Sequence, residues 1–227
     1  MGFKIVAIPD LHAPFTNKPA IKQLLKYIKR IKPNYIIQLG DAYDFWSLSR
    51  FTKSFNVKGM YRPIDEVNEA RVMMEDFWRV VNNAHPKATR IQLLGNHDER
   101  LPRTIAENMP ELVGILQFKH FFEFKGVHTH HDTREPLIIE DIAFEHGYLT
   151  GSTGKHMKHN LMSTVHGHTH HASIMYLTTK DKKLFNMECG HLADPTSAAL
   201  GYTRSKWVNW QCGFGLIDED GPRFIPL

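Results

Sequence analysis

The sequence predicts an α/β fold in which helices join the strands of a parallel sheet. Its first half alternates strand-like and helix-like patterns, beginning and ending with a strand, as parallel sheets with helical crossovers do. Its second half contains shorter strand-like runs separated by tight turns. The chain has 227 residues, of which 42% are hydrophobic and 23% charged, so we expect one globular domain over residues 1–227.

Periodicity indicates the first strand and the first helix. The segment "FKIVAIPD" (residues 3–10) is mostly β-branched or apolar, which is typical of a buried strand. Asn17 is the expected N-cap of the following helix, Pro19 suits its first turn and Pro33 ends it. The apolar residues of this helix recur at helical spacing: Ile21, Leu24, Leu25, Ile28 and Ile31.

The next elements continue the alternation. Residues 34–41 and 88–98 predict the second and third strands, and residues 62–86 predict a long helix between them. This helix has a common apolar face: Ile64, Val67, Met74, Phe77 and Val81. Residues 103–124 are expected to be helical, with a break near Pro110.

The second half predicts hairpins and one short helix. Residues 137–147 form the first hairpin, turning at Glu140 and Asp141, and residues 161–171 form a strand followed by a histidine-rich loop. Residues 154–160 are expected to open a helix between them. Two further hairpins pair residues 174–180 with 183–190 and residues 213–218 with 223–227.

Charge and cysteine content restrict the class of protein only loosely. The net charge of +4 and the pI near 9.0 are mildly basic, which suits a polyanionic substrate without requiring one. The two cysteines, Cys189 and Cys212, are expected to be buried in strands rather than disulfide-bonded. No signal peptide or apolar run long enough to span a membrane is evident, so we expect a cytoplasmic protein without a membrane partner.

Polar residues follow five of the predicted strands. The five segments are Asp10-x-His12, Gly40-Asp41-x-x-Asp44, Gly95-Asn96-His97-Asp98, Glu145-His146-Gly147 and Gly167-His168-x-His170. Any one of them alone is typical of a turn or a helix cap. Because the carboxyl ends of parallel strands lie together, five such segments in succession indicate one site assembled from distant parts of the chain.

This ordered set resembles the signature of the calcineurin-like metallophosphoesterase superfamily, which is D-x-H, G-D-x-x-D, G-N-H-D/E, H and G-H-x-H. The resemblance covers residues 10–170. It implies a four-layer α/β/β/α sandwich of mixed sheets, with a dinuclear metal site at the carboxyl ends of the strands. The segments "GDAYDFW" and "GNHDERL" look more like the phosphodiesterase, nuclease and bacterial or phage branch than like the protein phosphatases, in which Arg-Gly follows the last Asp of the second segment. The segments "ECGHLADP" and "NWQCGFG" resemble small phage and prophage members, which would place a phage-encoded protein in the host cytoplasm.

The resemblance also implies a set of metal ligands. Asp10, His12 and His170 would bind one divalent ion, and Asn96, His146 and His168 would bind the other, with Asp41 bridging both. Carboxylate, imidazole and amide ligands suit several divalent ions. We expect Mn²⁺ first, with Fe, Zn²⁺, Ni²⁺ or Mg²⁺ as alternatives.

Three further residues of these segments have expected roles in catalysis. His97 would be the general acid that protonates the leaving alcohol, or would stabilise transition-state charge. Asp98 would hold the imidazole of His97 in the required tautomer. Asp44 would be either a hydrogen-bond partner of a metal ligand or a cap for the chain that leaves the strand.

The substrate-binding residues are predicted less directly. Arg50 and Arg100 could bind phosphate oxygens. The sequence is equally consistent with an Arg100 that is exposed to solvent and contacts no substrate. Phe45 and Trp46 could stack on a base or pack beneath their loop, and we expect at least one of them to pack. His191 ends a late strand and is a further substrate candidate.

Two other histidine-containing segments are expected to lie outside the metal site. His128, His130 and His131 are expected in a surface loop or in a rim over the site. Lys155, His156, Lys158 and His159 are expected on a solvated face.

The leading functional hypothesis is hydrolysis of a phosphodiester, such as a nucleic acid or a nucleotide, by metal-activated hydroxide with His97 as general acid. The alternative enzyme is a phosphomonoesterase that acts on a nucleotide, a sugar phosphate or a phosphoprotein. The alternative outside enzymes is a catalytically silent metal-binding scaffold, which we rank lower because no ligand of the signature is missing.

Overall fold

Two mixed sheets pack face to face, with helices on their outer surfaces. The computed structural model describes residues 2–49, 62–116, 118–149, 153–197, 199–200 and 208–227. The strands are β1 Lys4–Ile8, β2 Tyr35–Gln38, β3 Thr89–Leu93, β4 His128–His130, β5 Leu137–Ile139, β6 Ile142–Glu145, β7 Ser163–His166, β8 Ala172–Thr178, β9 Lys183–Cys189, β10 Gly213–Asp218 and β11 Gly221–Pro226. The α-helices are α1 Lys18–Ile31, α2 Pro63–Ala84, α3 Arg100–Asn108 and α4 Lys155–Asn160.

The first sheet has the strand order β11-β10-β1-β2-β3-β4. Strands β1 to β4 run parallel, with α1 and α2 in the first two crossovers, which confirms the predicted alternation. Strands β10 and β11 form the predicted C-terminal hairpin and pair antiparallel at the β1 edge. The carboxyl ends of β1, β2 and β3 therefore lie side by side.

The second sheet has the order β5-β6-β7-β9-β8 and contains both predicted hairpins of this region. Strands β6, β7 and β9 are parallel, so the ends of β6 and β7 are also neighbours. The predicted short helix α4 packs against β7 and β9 on one face of this sheet. Two helical layers and two sheets give the expected four-layer α/β/β/α sandwich.

Alternation along β1 divides the core into two layers. Val6 and Ile8 pack in the cluster that includes α1 and α2, whereas Ile5 and Ala7 pack in the cluster between the sheets. Side chains of a strand point to opposite faces at every second residue, so a strand buried on both faces is apolar throughout. Cys189 is buried between the sheets as predicted, but Cys212 is only half-buried.

Local sequence signals correctly predict where α1 begins and which face of α2 is buried. The side chain of Asn17 accepts a hydrogen bond from the backbone N–H of Ala20, which confirms the predicted N-cap. The apolar face of α2 is buried as predicted, except that Ile64 in its first turn is 57% exposed because it precedes the buried stretch of the helix. None of the helices in the described ranges combines the length and the apolar character that a membrane span requires.

The segment between β3 and β5 differs from the prediction. Helix α3 begins at Arg100 and ends at Asn108, and only short 3-10 turns follow, at Pro110–Leu112 and Lys119–Phe121. Pro110 cannot continue the hydrogen-bonding pattern of the helix. The histidine segment expected in a surface loop or in a rim over the site instead contributes His128–His130 to the edge strand β4, parallel to β3. This strand lacks an apolar run because it pairs on one side only and is partly exposed.

Candidate metal centre

The predicted ligands come together where strands of both sheets end. Asp10 and His12 follow β1, Asp41 follows β2 and Asn96 follows β3, whereas His146 follows β6, and His168 and His170 follow β7. Five of these seven residues have a positive φ: Asp10 (31°), His12 (50°), Asp41 (51°), His168 (70°) and His170 (60°). Residues other than glycine rarely adopt this conformation, and such strain is concentrated at functional sites.

The first group of ligand atoms comes from Asp10, His12 and His170. One ligand atom of each lies within 4.8 Å of the others, and all three residues are buried. Nε2 of His12 is 3.1 Å from Nε2 of His170, which in turn is 3.5 Å from Oδ1 of Asp10. The backbone N–H of His168 donates to Asp10 and fixes this carboxylate.

The second group comes from Asp41, His146 and His168, again within 4.8 Å. Nε2 of His146 is 3.2 Å from Oδ2 of Asp41 and 3.0 Å from Oδ1 of Asn96. The same Asn96 oxygen is 2.8 Å from Nδ1 of His168. The second predicted ligand set is thus brought together, including its neutral amide oxygen.

Asp41 lies between the two groups. Its Oδ1 accepts a hydrogen bond from the backbone N–H of His97 at 2.8 Å, which leaves Oδ2 to face the cluster. Oδ2 is 3.2 Å from Nε2 of His146 and 3.9 Å from Nε2 of His12. One oxygen shared between the groups is the arrangement expected of a bridging carboxylate.

The hydrogen bonds on the outer side of the histidines show that the donor set fits cations. Nδ1 of His146 lies 3.0 Å from the carbonyl oxygen of Leu39, which can only accept, so Nδ1 carries the proton. Nε2 of His146 therefore faces Asp41 and Asn96 with a lone pair unless the ring is protonated. In the same way Nδ1 of His12 donates to Oδ2 of Asp44 at 2.8 Å. Acceptor atoms converge in both groups, so a proton or a metal ion must lie between them.

Electrostatics agree with this interpretation. Burial alone would raise the pKa of Asp41, but the nearby histidines, with His146 foremost, hold it well below its ordinary value. Burial alone would lower the pKa of His146, but the carboxylates of Asp41 and Asp10 raise it to about 9. In the absence of cations the cluster thus holds a proton where a divalent ion would bind.

Glycines bring the backbone against the two buried carboxylates. A Cβ atom at Gly95 would overlap Oδ1 and the backbone N of Asp41, and one at Gly167 would overlap Oδ2 of Asp10. The glycines of the G-N-H-D and G-H-x-H segments are therefore required by close approach.

His97 lies beside the first group, with its ring centroid 4.6 Å from that of His12. Its Nδ1 faces the carbonyl oxygen of Asp44 at 3.2 Å, and its Nε2 faces Nη2 of Arg100 at 2.8 Å. Nη1 of Arg100 also donates to the carbonyl oxygen and to Oδ1 of Asp44, at 2.9 and 3.1 Å. Asp44 is therefore the partner of the ligand His12, and it anchors both His97 and Arg100.

The expected role of Asp98 requires correction. Its carboxylate is fully buried and accepts hydrogen bonds from the backbone N–H groups of Tyr43, Gly95 and Ala42, at 2.9, 2.8 and 3.3 Å. Asp98 thus holds the loop after β2 against the loop after β3. The carboxylate beside the His97 ring belongs to Asp44, with Oδ2 3.6 Å from Nδ1 of His97.

The other substrate candidates are placed differently. His191 is only 3% exposed, and its ring lies against that of the ligand His170 with centroids 5.0 Å apart, so its contact with substrate stays a prediction. Phe45 is buried, as expected for one of the aromatic pair, and the half-buried Trp46 packs its ring edge-on against Phe15. Arg50 lies outside the described residues.

The segment expected on a solvated face contains a buried histidine. His156 is 2% exposed, its Nδ1 is 2.6 Å from Oε1 of Glu145, and its Nε2 accepts the backbone N–H of Leu149. His156 thus braces the loop that follows the ligand His146. The charged neighbours of His156 suggest exposure and so conceal this role in the sequence. The position of Glu145 beside the predicted ligand His146 could have indicated a partner such as His156.

Known proteins resemble this chain in sequence and structure. Residues 3–195 match the family model described as calcineurin-like phosphoesterase. The Gene 54 protein of Mycobacterium phage L5 is 26% identical over 247 residues, which cover 100% of this chain and 94% of the phage protein.

Solved structures with a similar fold are more distant. Vacuolar Protein Sorting 29 from Cryptosporidium parvum has a TM-score of 0.49 and 16% identity, with 100% of this chain and 92% of that chain covered. Yfce, a phosphoesterase from E. coli, has a TM-score of 0.44 and 14% identity, with 98% and 92% covered.

Proposed function

Because the chain belongs to the calcineurin-like phosphoesterase family, a family of hydrolases that act on phosphoric esters, we propose that it hydrolyses phosphodiester bonds of a nucleotide or a nucleic acid. One observation supports the proposal of a diester. Each of the two groups of ligand atoms has a different neighbour: two polar side chains beside one group, and a groove beside the other. His97 and Arg100 lie beside the group formed by Asp10, His12 and His170. A groove of about 390 Å³ opens beside the group that contains Asn96 and His146.

Two flanking features suit a diester better than a monoester. A phosphodiester carries two organic groups, one of which leaves while the other remains on phosphorus. A monoester carries only the leaving group and would have no use for the groove. We assign the leaving group to the side of His97 and the retained group to the groove.

The metal ligands in this proposal are those of the two groups: Asp10, His12 and His170 for one ion, Asn96, His146 and His168 for the other, and Asp41 for both. Divalent cations bound there supply Lewis-acid activation of water and of phosphate oxygens. We propose Mn²⁺ as the native ion because imidazole and oxygen ligands are mixed and no thiolate is present among them.

The residues of the chain itself supply orientation and a proton. Asp44 holds His12 through Nδ1 and so directs Nε2 of that ring toward the cluster. Arg100 can bind the phosphate oxygens because its side chain is 19% exposed and its guanidinium lies beside Asp44 and His97. When the guanidinium moves to phosphate, Nε2 of His97 becomes free to hold a proton for the leaving oxygen.

Hydrolysis of bis-p-nitrophenyl phosphate and of p-nitrophenyl phosphate by protein reconstituted with Mn²⁺ tests this proposal. We expect faster hydrolysis of the diester, loss of activity in chelator, and loss of activity in Asp41→Asn. Asp76→Asn is the matched control, since the side chain of Asp76 is 62% exposed on α2. Full activity of the chelated protein would contradict a metal-dependent enzyme, and faster hydrolysis of the monoester would contradict the diester preference.

A further inference from the structure

The groove beside the second group of ligand atoms has walls that do not belong to the metal centre. Its lining includes the ligands Asn96 and His146 together with Tyr148, Glu99 and Arg134. A group attached on this side to a phosphate at the centre would therefore face the groove. The chemistry of these three wall residues defines what the groove can accept.

Tyr148 presents an aromatic ring in the groove although it lies only two residues after a ligand. Its side chain is 53% exposed, which is high for a large aromatic residue so close to a buried cluster. The ring edge packs against His156, with centroids 5.8 Å apart. Because His156 is itself fixed by Glu145 and by the backbone N–H of Leu149, Tyr148 is held in place without being covered.

The walls offer both hydrogen-bond acceptors and donors, from Glu99 and Arg134, without the excess of positive charge that would favour a second phosphate. Oε1 of Glu99 accepts a hydrogen bond from the hydroxyl of Thr133, and Oε2 accepts one from Arg103. Each carboxylate oxygen of Glu99 has more than one lone pair, so it can accept further hydrogen bonds from N–H groups. Arg134, whose side chain is 89% exposed, supplies donors on the same groove.

We propose that this groove binds the nucleobase of the group retained on phosphorus, with Tyr148 as its stacking surface. A nucleobase is flat and neutral, and its edge carries both N–H donors for Glu99 and acceptors for Arg134. Stacking of a base on an aromatic side chain does not depend strongly on which base is present. The inference rests on the proposed phosphodiesterase function, and it adds the place where the base binds and the residue that recognises it.

Two chromogenic diesters separate this inference from the function itself. Thymidine 5′-p-nitrophenyl phosphate and methyl p-nitrophenyl phosphate have the same leaving group and differ only in the retained group. A third ester with 1,2-dideoxyribose in place of thymidine keeps the sugar and lacks the base. The ratio of kcat/KM for the thymidine ester to that for the dideoxyribose ester isolates the contribution of the base.

We expect this ratio to be about tenfold or more in the Mn²⁺-loaded wild-type protein, the scale of stacking one base on an aromatic ring. Tyr148→Ala should bring the ratio close to one, whereas Tyr148→Phe should keep it. Tyr176→Ala is the matched control because Tyr176 is a 65% exposed tyrosine on β8, outside the residues that line the groove.

The outcomes are distinguishable. Release of p-nitrophenol from none of the three esters would overturn the proposed function. Release from all three with a wild-type ratio near one, or a ratio that survives Tyr148→Ala, would overturn only the base-binding groove.

Discussion

Nη2 of Arg100 lies 2.8 Å from Nε2 of His97. A guanidinium can only donate, so Nε2 accepts, and the proton of the neutral ring is on Nδ1, which faces the carbonyl oxygen of Asp44. A proton for a leaving group must come from Nε2, the nitrogen nearer to Oδ2 of Asp41 at 3.8 Å. Binding of phosphate by Arg100 would therefore prepare His97 for catalysis.

The role of His97 can be tested through the leaving group. We expect His97→Ala to lower kcat by about 10²- to 10⁴-fold on thymidylyl-thymidine, whose alkoxide requires protonation, and much less on thymidine 5′-p-nitrophenyl phosphate. Mn²⁺ affinity, measured by calorimetry, is the control and should change little because His97 is not a ligand. Equal losses on both substrates would assign His97 to stabilisation of charge rather than to proton donation.

Substitutions of Asp44 and of Asp98 are predicted to have different effects. An amide at position 98 would place N–H donors against backbone N–H groups, so Asp98→Asn should lower the free energy of unfolding by about 1–3 kcal/mol in metal-free protein. Asp44→Asn should instead lower metal affinity about 10- to 100-fold, because Asp44 orients the ligand His12.

Urea denaturation in chelator and Mn²⁺ titration measure the two effects for each variant. If Asp98→Asn kept the stability of the wild type but lost activity as His97→Ala does, Asp98 would be the orienting residue after all.

Metal affinity should increase with pH. The pKa of His146 is raised to about 9 in the metal-free cluster, so at pH 7 the ring is protonated and an ion must displace that proton. Because His146 must lose this proton, the apparent affinity for Mn²⁺ should rise by up to about tenfold per pH unit below pH 9 and level off above pH 9. Calorimetric titration with Mn²⁺ at several pH values from 7 to 8.5 checks this prediction, and a pH-independent affinity without proton release would contradict it.

His156 should contribute to stability as well as to the loop after His146. His156→Ala leaves the largely buried Glu145 carboxylate without its main partner, so we expect a loss of about 3 kcal/mol in the free energy of unfolding. His159→Ala, at an exposed position of the same helix, is the matched control and should change stability by less than about 0.5 kcal/mol. Thermal denaturation of both variants gives the comparison, and equal stabilities would exclude a structural role for the pair.

The meeting of these residues in one site was predictable because two general rules coincide, whereas the ligand set itself was assigned through the family resemblance. Strands β1, β2 and β3 are buried toward their carboxyl ends and are followed by polar residues, and parallel strands bring such ends together. Neither rule required the side-chain contacts to be known. Asp41 could be assigned as a bridge only through the family resemblance, and its Oδ2 does lie between the two groups.

The errors in prediction arose where neighbouring residues point in different directions. Asp98 adjoins His97 in the sequence, but the turn sends its carboxylate beneath the loops, and a more distant residue, Asp44, takes the place beside the ring. Burial of His156 and His191 was equally hidden, because each has polar or glycine neighbours that suggest exposure. A short sequence pattern shows which residue types are present. The direction in which each side chain of a turn points depends on contacts with other elements of the fold.

The ligands come from both sheets, between which a cluster of apolar side chains is buried. Asp10, Asp41 and Asn96 extend from one sheet, and His146, His168 and His170 extend from the other. Metal ions bound between these ligands would link the two sheets at one end of the sandwich, because the sheets cannot separate there without releasing the ions. The resistance of the folded chain to heat and proteases would then depend on the supply of metal, since binding to the folded state alone shifts the folding equilibrium.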